Sequence, residues 1–340
     1  MKQCVLLVNW NGWKDTLECL ESVLRLNIPD YQVILCDNGS TDGSLEKIRN
    51  WARGELQAPC ANPALQHFTS PGIPKPFSYE ELRREDAEAG TRSHEKLVVI
   101  RVGADRGFAG GNNVGLRYAL GDPECQFFWI LNNDTIVEPN ALSAMLLEMK
   151  QNPKIGICGS LNLAYYQPNE IQVQGGYKYN RWTARVQAPA RSTIDALGKP
   201  ERFDYVNGSS MLVSRAFLED VGLMEECYFF YFEELDWVAR ARGRYQLGYT
   251  PASVIYHKEG ACLGSSFVRL KRSVYSDKFA SRSRIIFTKK FYPLALPTVV
   301  ISTVAAAFHR WIIGDPKRAL TMLKWMLDGI TGAPLDPKSI

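Results

Sequence analysis

The first half of the chain alternates two patterns. Short unbroken apolar runs at Cys4–Asn9, Tyr31–Asp37, Leu97–Val102 and Phe127–Leu131 have the length of strands buried on both faces. Between them apolar residues recur at helical spacing: Leu17, Leu20, Val23 and Leu24, then Leu45, Ile48 and Trp51. A third set, Ala141, Leu142, Met145, Leu146 and Met149, follows Pro139, a residue suited to a first helical turn. Buried strands alternating with helices predict an α/β fold, a doubly wound, mostly parallel sheet with right-handed crossovers. The fourth run stops at Asn132, Asn133 and Asp134, and ligands of open parallel sheets sit beyond the carboxyl ends of their strands. An Asn/Asp turn explains the same residues without any ligand.

The pattern breaks twice. From Gly54 to Lys96 periodicity is lost among prolines 59, 63, 71, 74 and 76, which predicts a surface excursion or a mobile flap. After Ile155–Gly159 the character changes to short antiparallel strands around Gln172–Pro189, a small antiparallel region beside the main sheet. A small-residue turn follows at Asn207, Gly208 and Ser209. A helix is predicted to start at Glu233, Glu234 and Asp236 and to end near arginines 240, 242 and 244, a polarity that suits the helix dipole by itself. The strand Ser253–Tyr256 then delivers His257.

Composition adds limits. With 340 residues, 46% hydrophobic and 22% charged, the chain has ample core and is not disordered. The eight cysteines form no CxxC pair and read as reduced residues of a cytoplasmic protein, neither zinc ligands nor disulfides. The amino-terminal apolar run is too short for a signal peptide or a membrane span. The net charge of +4 conceals a balance of +10 between Arg269 and Lys324. There, cationic clusters alternate with apolar blocks in a helical carboxyl-terminal extension. That pattern points to an anionic membrane surface, with Trp311, Ile312, Leu323, Trp325 and Met326 in the interface. The other reading is an ordinary helical subdomain or a homo-oligomer contact. Nucleic acid is disfavoured, because apolar residues interrupt the basic stretches too regularly.

Asp37 ends the second strand, where a nucleotide's ribose or base is held in dinucleotide-binding folds. A dehydrogenase would need GxGxxG after the first strand, and the chain has Asn9-Trp10-Asn11-Gly12-Trp13 instead. Gly107, Gly110, Gly111 and Gly115 follow the third strand and let backbone approach a sugar nucleotide or simply pack a helix start. Asp134 and His257 offer an oxygen and a nitrogen ligand to a divalent ion, and Glu233, Glu234 and Asp236 offer a base.

The blocks VNWNGW, DNGSTDGS, RGFAGGNN, LNNDT, YVNGSSMLV, FFYFEELDW and YHKEGA, spanning about Val5 to Gly264, resemble in order and spacing the inverting family 2 glycosyltransferases of the GT-A fold. The likeness is strongest to bacterial rhamnosyltransferase-type members. It implies a catalytic domain over 1–264, with 54–96 inserted; the basic helical region over 265–340 rests on the charge pattern given above. It also implies that Asn9 and Asp37 hold the donor's nucleobase, that Asp134 ends a DxD-type metal motif, that His257 is a further ligand of Mg2+ or Mn2+, and that Glu234 is the base. The same blocks place Asn11, Asn38, Gly107, Gly110, Asn112, Asn113, Asn132 and Asn133 on the donor side and Asn207, Gly208 and Ser209 on the acceptor side. Only one carboxylate remains in Asn132-Asn133-Asp134, and Glu233-Glu234 stands where Glu-Asp is usual, so Glu233 and Asp236 stay open as the base. The expected donor is a dTDP- or UDP-sugar and the expected acceptor a glycan or polyprenyl-linked glycan, on the cytoplasmic face of the inner membrane. A non-catalytic sugar-nucleotide-binding scaffold is the alternative.

Overall fold

The computed structural model describes residues 2–187, 192–198, 202–258 and 273–334. The expected alternation is present: β1 (Lys2–Asn9), α1 (Trp13–Val23), β2 (Tyr31–Asp37), α2 (Ser44–Arg53), β3 (Glu80–Arg83), α3 (Arg84–Glu88), β4 (Leu97–Arg101), α4 (Gly107–Leu120) and β5 (Cys125–Asn132). Strands β5, β1, β2, β4 and β3 pair side by side, all parallel. The register sets Asn9 opposite Asp37 and Val8 opposite Asn132, so the polar residues that end these runs line one edge. Apolar clusters cover both sheet faces, as unbroken apolar strands require.

The second half widens the sheet. It contains β6 (Thr135–Val137), α5 (Ala141–Gln151), β7 (Ile155–Ala164), β8 (Gln167–Gln174), β9 (Gly176–Asn180), β10 (Arg185–Gln187), β11 (Ser192–Thr193), β12 (Tyr205–Val206), β13 (Ser210–Ser214), α6 (Arg215–Val221), α7 (Glu233–Ala241) and β14 (Gln246–His257). β13 lies antiparallel between β5 and β7, and β14 runs along β7 and turns its end onto β6. β9, β10 and β12 make the small antiparallel region expected beside the main sheet.

The stretch 54–96 packs against α1 and the adjoining end of the sheet. Buried Glu21 of α1 accepts the indole N–H of Trp51 at 2.8 Å and the backbone N–H of Ile73 at 2.7 Å, and Leu65 enters a core cluster with Ile136, Tyr165 and Tyr256. β3 adds the parallel edge strand. Charged turn-forming sequence hid this, because the gripping carboxylates sit on a different helix.

Three helices follow: α8 (Val274–Phe291), α9 (Leu296–Ile312) and α10 (Pro316–Thr331). They pack onto the segment entering α7, with Ser283 Oγ donating to the Phe230 carbonyl at 3.0 Å and Arg282 to that of Cys227 at 2.7 Å. Buried Asp277 ties Arg310 and Arg318 at 2.8 and 2.6 Å, so part of the basic surplus serves internal pairing. Trp325 and Met326, expected in a membrane interface, are buried inside this bundle, and Leu323 is half-buried, whereas Trp311 and Ile312 are exposed. By length and composition, Pro293–Ile312 is long and apolar enough to cross a membrane, with 39% of its apolar window buried. The expected boundary at 264/265 lies outside the described residues. The seven described cysteines are free.

Candidate active site at the carboxyl edge of the sheet

Where β1 and β2 end, a buried hydrogen-bonded chain crosses the sheet edge. Asn9 Nδ2 donates to Asp37 Oδ1 at 2.8 Å and to Ser40 Oγ at 2.9 Å, Thr16 Oγ1 donates to Asn9 Oδ1 at 2.8 Å, and Asn133 Nδ2 donates to Thr16 Oγ1 at 2.8 Å. Asn11 accepts the backbone N–H groups of Thr41 and Asp42 and so shapes the loop after β2. Asn38 reaches Asp105 Oδ1 at 2.9 Å and ties that loop to the start of α4. Asn113 is engaged on both sides by Met224 and by Glu226, which makes it a strut, while Asn112 is buried with its Oδ1 free of any hydrogen bond. Gly107, at φ +67, presses against the Phe229 carbonyl, which a Cβ would overlap. Gly110 packs against the Arg106 side chain.

The turn Asn132–Asp134 joins β5 to β6, and pairing of Thr135 with His257 brings the end of β14 beside it. His257 Nε2 lies 3.2 Å from Asp134 Oδ1 and 3.4 Å from Asn132 Nδ2. Asp134 is buried and its Oδ1 has no hydrogen bond. Burial opposes its ionisation, but the neighbouring His257 and the Lys258 cation outweigh it and hold the carboxyl below its ordinary range. Lys258 Nζ is held in turn by Glu18 at 2.6 Å.

The acids of α7 divide. Asp236 is fully buried and accepts from Tyr228 Oη at 2.9 Å, Arg240 Nε at 2.7 Å and Lys290 Nζ at 2.7 Å, so it is a strut and leaves the set of candidate bases. Glu233 is buried with Oε2 free of any hydrogen bond; burial, then repulsion from Glu234, push its carboxyl well up. Glu234 is half-buried and packs against Gly208. Burial pushes its carboxyl up to about 7, against hydrogen bonds from backbone N–H groups of the helix start and of Gly208. The segment entering α7 has positive φ at Phe229, Tyr231 and Phe232, uncommon for aromatic residues and of the kind that clusters at functional sites.

Gly208 links this acid to the rest of the site. Asn207 shapes the turn by accepting the Ser209 N–H at 2.9 Å, and Ser209 presents its carbonyl to the backbone N–H of Asn132 at 3.0 Å. Asn162, buried on β7, donates to Ser209 Oγ at 2.6 Å. Glu234, Gly208, Ser209, Asn132, His257 and Asp134 are therefore neighbours in a continuous series.

The sequence pattern of Glycosyl transferase family 2 matches residues 4–60 and 80–222, more than half of the chain. The chain belongs to glycosyl transferase family 2. It is similar, at 22% identity over 222 residues covering 65% of this chain and 69% of the relative, to a low-salt glycan biosynthesis hexosyltransferase of Haloferax volcanii. In fold it resembles a mannosyltransferase from Pyrobaculum calidifontis solved with GDP-Man and Mn2+, with a TM-score of 0.51 and 12% identity over 98% of this chain and 88% of that one. It also resembles GalNAc-T7 solved with UDP, GalNAc and Mn2+, with a TM-score of 0.51 and 17% identity over 84% of this chain and 51% of that one.

This glycosyltransferase departs from a dehydrogenase at the first strand, as the missing glycine pattern indicated. Residues 61–79 fall outside the family match and pack beside α1 and the β6–β14 end of the sheet. No group of three or more His, Cys, Asp or Glu placed to hold a metal ion occurs among the described residues. Asp134 and His257 nonetheless fit a hard divalent ion: a buried carboxylate oxygen without a hydrogen bond faces an imidazole nitrogen across 3.2 Å. Sequence reasoning missed Thr16, Asn162, Gln172 and Lys258 as parts of this edge. Lys258 adjoins His257 in a quoted block, but nothing local marks the other three.

Proposed function

We propose that this glycosyltransferase moves a sugar from a nucleoside diphosphate donor to a hydroxyl of a glycan or polyprenyl-linked glycan, with inversion at the anomeric carbon. The observation that carries the reading is the contiguity of Glu234, through Gly208 and Ser209, with Asn132, Asp134 and His257. Asn9, Asn11, Asp37 and Asn38 frame the nucleoside end, and Gly107, Gly110 and Asn112 line the α4 side of the donor. Asp134 and His257 would hold Mg2+ or Mn2+, which would supply positive charge beside a nucleoside diphosphate leaving group. Asn207, Gly208 and Ser209 border the acceptor. Glu234 takes the acceptor proton, and a carboxyl held at about 7 suits a base working near neutrality. Glu233, kept protonated beside it, avoids a second buried charge.

The donor preferred on resemblance is a dTDP- or UDP-linked rhamnose or related deoxysugar, serving cell-surface polysaccharide synthesis. A screen of dTDP-, UDP- and GDP-sugars with Mn2+ or Mg2+, reading nucleoside diphosphate release and thermal shift, tests the activity. A thermal shift without nucleoside diphosphate release overturns it and leaves the scaffold alternative, and neither signal with any donor overturns both.

A lipid surface on the cytoplasmic face of the inner membrane is the second part of the reading. Helix α9 has no acidic residue and exposes Ile301 (67%), Phe308 (63%) and Ile312 (67%), with Lys289 before it and Lys317 after it. An apolar face flanked by cations suits helices lying on anionic lipid. The protein is expected to float with phosphatidylglycerol vesicles and not with phosphatidylcholine alone, and Ile301→Asp with Phe308→Asp removes flotation. Failure of the wild type to float overturns this, as does a dimer broken by the same changes, which assigns the face to a second copy.

A further inference from the structure

Gln172 lies on β8, next to β7, which in turn pairs with β14, and its amide meets His257 twice. Its Nε2–H donates to the His257 backbone carbonyl at 2.9 Å, and its Oε1 stands 3.2 Å from His257 Nδ1. The first bond settles the amide's orientation: turned over, its oxygen would face another carbonyl oxygen. An acceptor therefore faces Nδ1, and that nitrogen must carry a proton to satisfy it. On the far side of the ring the Asn132 amide nitrogen, a donor, faces Nε2 at 3.4 Å. The neutral tautomer that suits both amides has Nδ1 protonated and a lone pair on Nε2. That lone pair points toward Asp134 Oδ1 at 3.2 Å, so two electron donors face each other across a gap suited to a cation.

We propose that Gln172 is a positioning residue that locks His257 in its Nδ1–H tautomer and so presents Nε2, beside Asp134, to a divalent cation. The proposal rests on the reading of Asp134 and His257 as metal ligands. A histidine ligand needs its other ring nitrogen held by an acceptor, and this chain uses a neutral amide for it. A neutral partner matters here. A carboxylate at 172 would favour the imidazolium and place a proton on Nε2, where the lone pair is required.

Two measurements on the full chain test this. In metal-free protein labelled with 15N-histidine at pH 8, the His257 signals, assigned with His257→Gln, are expected to show a protonated Nδ1 and an unprotonated Nε2. Gln172→Leu is expected to lose that pattern. With UDP as the nucleotide probe, Gln172→Leu is expected to weaken Mn2+ binding about tenfold or more, read by water proton relaxation. A protonated Nε2 in the wild type, or an identical spectrum in Gln172→Leu, overturns the proposal. Unchanged Mn2+ affinity in Gln172→Leu with a loss in Asp134→Ala overturns the role of Gln172 alone. Unchanged affinity in both overturns the metal reading and the proposal with it. Should Gln172→Leu fail to fold, Gln172→Glu, which keeps an acceptor at Nδ1, is expected to retain the Nδ1 proton, and its loss there overturns the proposal.

Discussion

His257 and Asp134, distant along the chain, stand 3.2 Å apart because β6 and β14 pair antiparallel with Thr135 opposite His257. Both act on one ion in the proposed site, so their effects are coupled. Asp134→Ala and His257→Ala are each expected to weaken Mn2+-dependent binding of UDP, dTDP or GDP by about tenfold or more, and the double variant to lose much less than the product. Calorimetry with and without Mn2+ measures this. Full additivity means the two do not share an ion.

Glu234→Gln is expected to lower transfer by about 100-fold to 10,000-fold while nucleotide binding persists. Because the ionised carboxylate does the work and its carboxyl is held at about 7, wild-type turnover is expected to fall as pH drops below that value. A flat profile between pH 6 and 8 counts against this residue as the base.

The same carboxyl has a stability signature. Its folded pKa of about 7 lies above the ordinary 4.5, so the protonated form favours the fold. Its contribution is full below about 4.5 and is lost as pH rises through about 7. Replacing it with Gln, which never ionises, is expected to stabilise the protein at pH 8 and to change little at pH 4.5. At about 1.4 kcal/mol per pKa unit the ceiling is about 3 kcal/mol, and partial exposure brings the expected gain to the order of 1 kcal/mol. Urea denaturation at the two pH values reads it.

Gly208→Ala separates geometry from stability. A Cβ there would overlap Glu234 Oε1, the mobile end of a side chain, so the acid is displaced at small cost to the fold. Turnover is expected to drop at least tenfold with unchanged melting temperature and unchanged nucleotide affinity. A variant as active as wild type argues that Glu234 does not work from this position.

Asp236→Asn should behave in the opposite way. Removing the charge of buried Asp236, which engages the partly exposed Arg240 and Lys290, is expected to cost about 1 to 3 kcal/mol of stability, measured by chemical denaturation. Nucleotide affinity of the folded fraction is expected to be retained. A stable variant without activity would return Asp236 to the candidate bases.

Much of the architecture was legible along the chain, because a buried strand and an amphipathic helix write their environment into local spacing. The apolar runs ending at Asn9, Asp37 and Asn132 became adjacent parallel strands. Spacing alone did not separate Glu234 from Asp236. They share one helix turn, and Tyr228 together with Lys290 from α8 makes the second a strut. Tertiary packing likewise turned the proline-rich stretch 54–96 into a docked segment through Glu21, and buried Trp325 and Met326 while leaving Ile301 and Phe308 outside. Gln172 and Asn162 could not be found from local pattern, since an amide on a strand carries no periodic signal. What they touch depends on strand order and register, which long-range pairing decides and no short window of sequence contains.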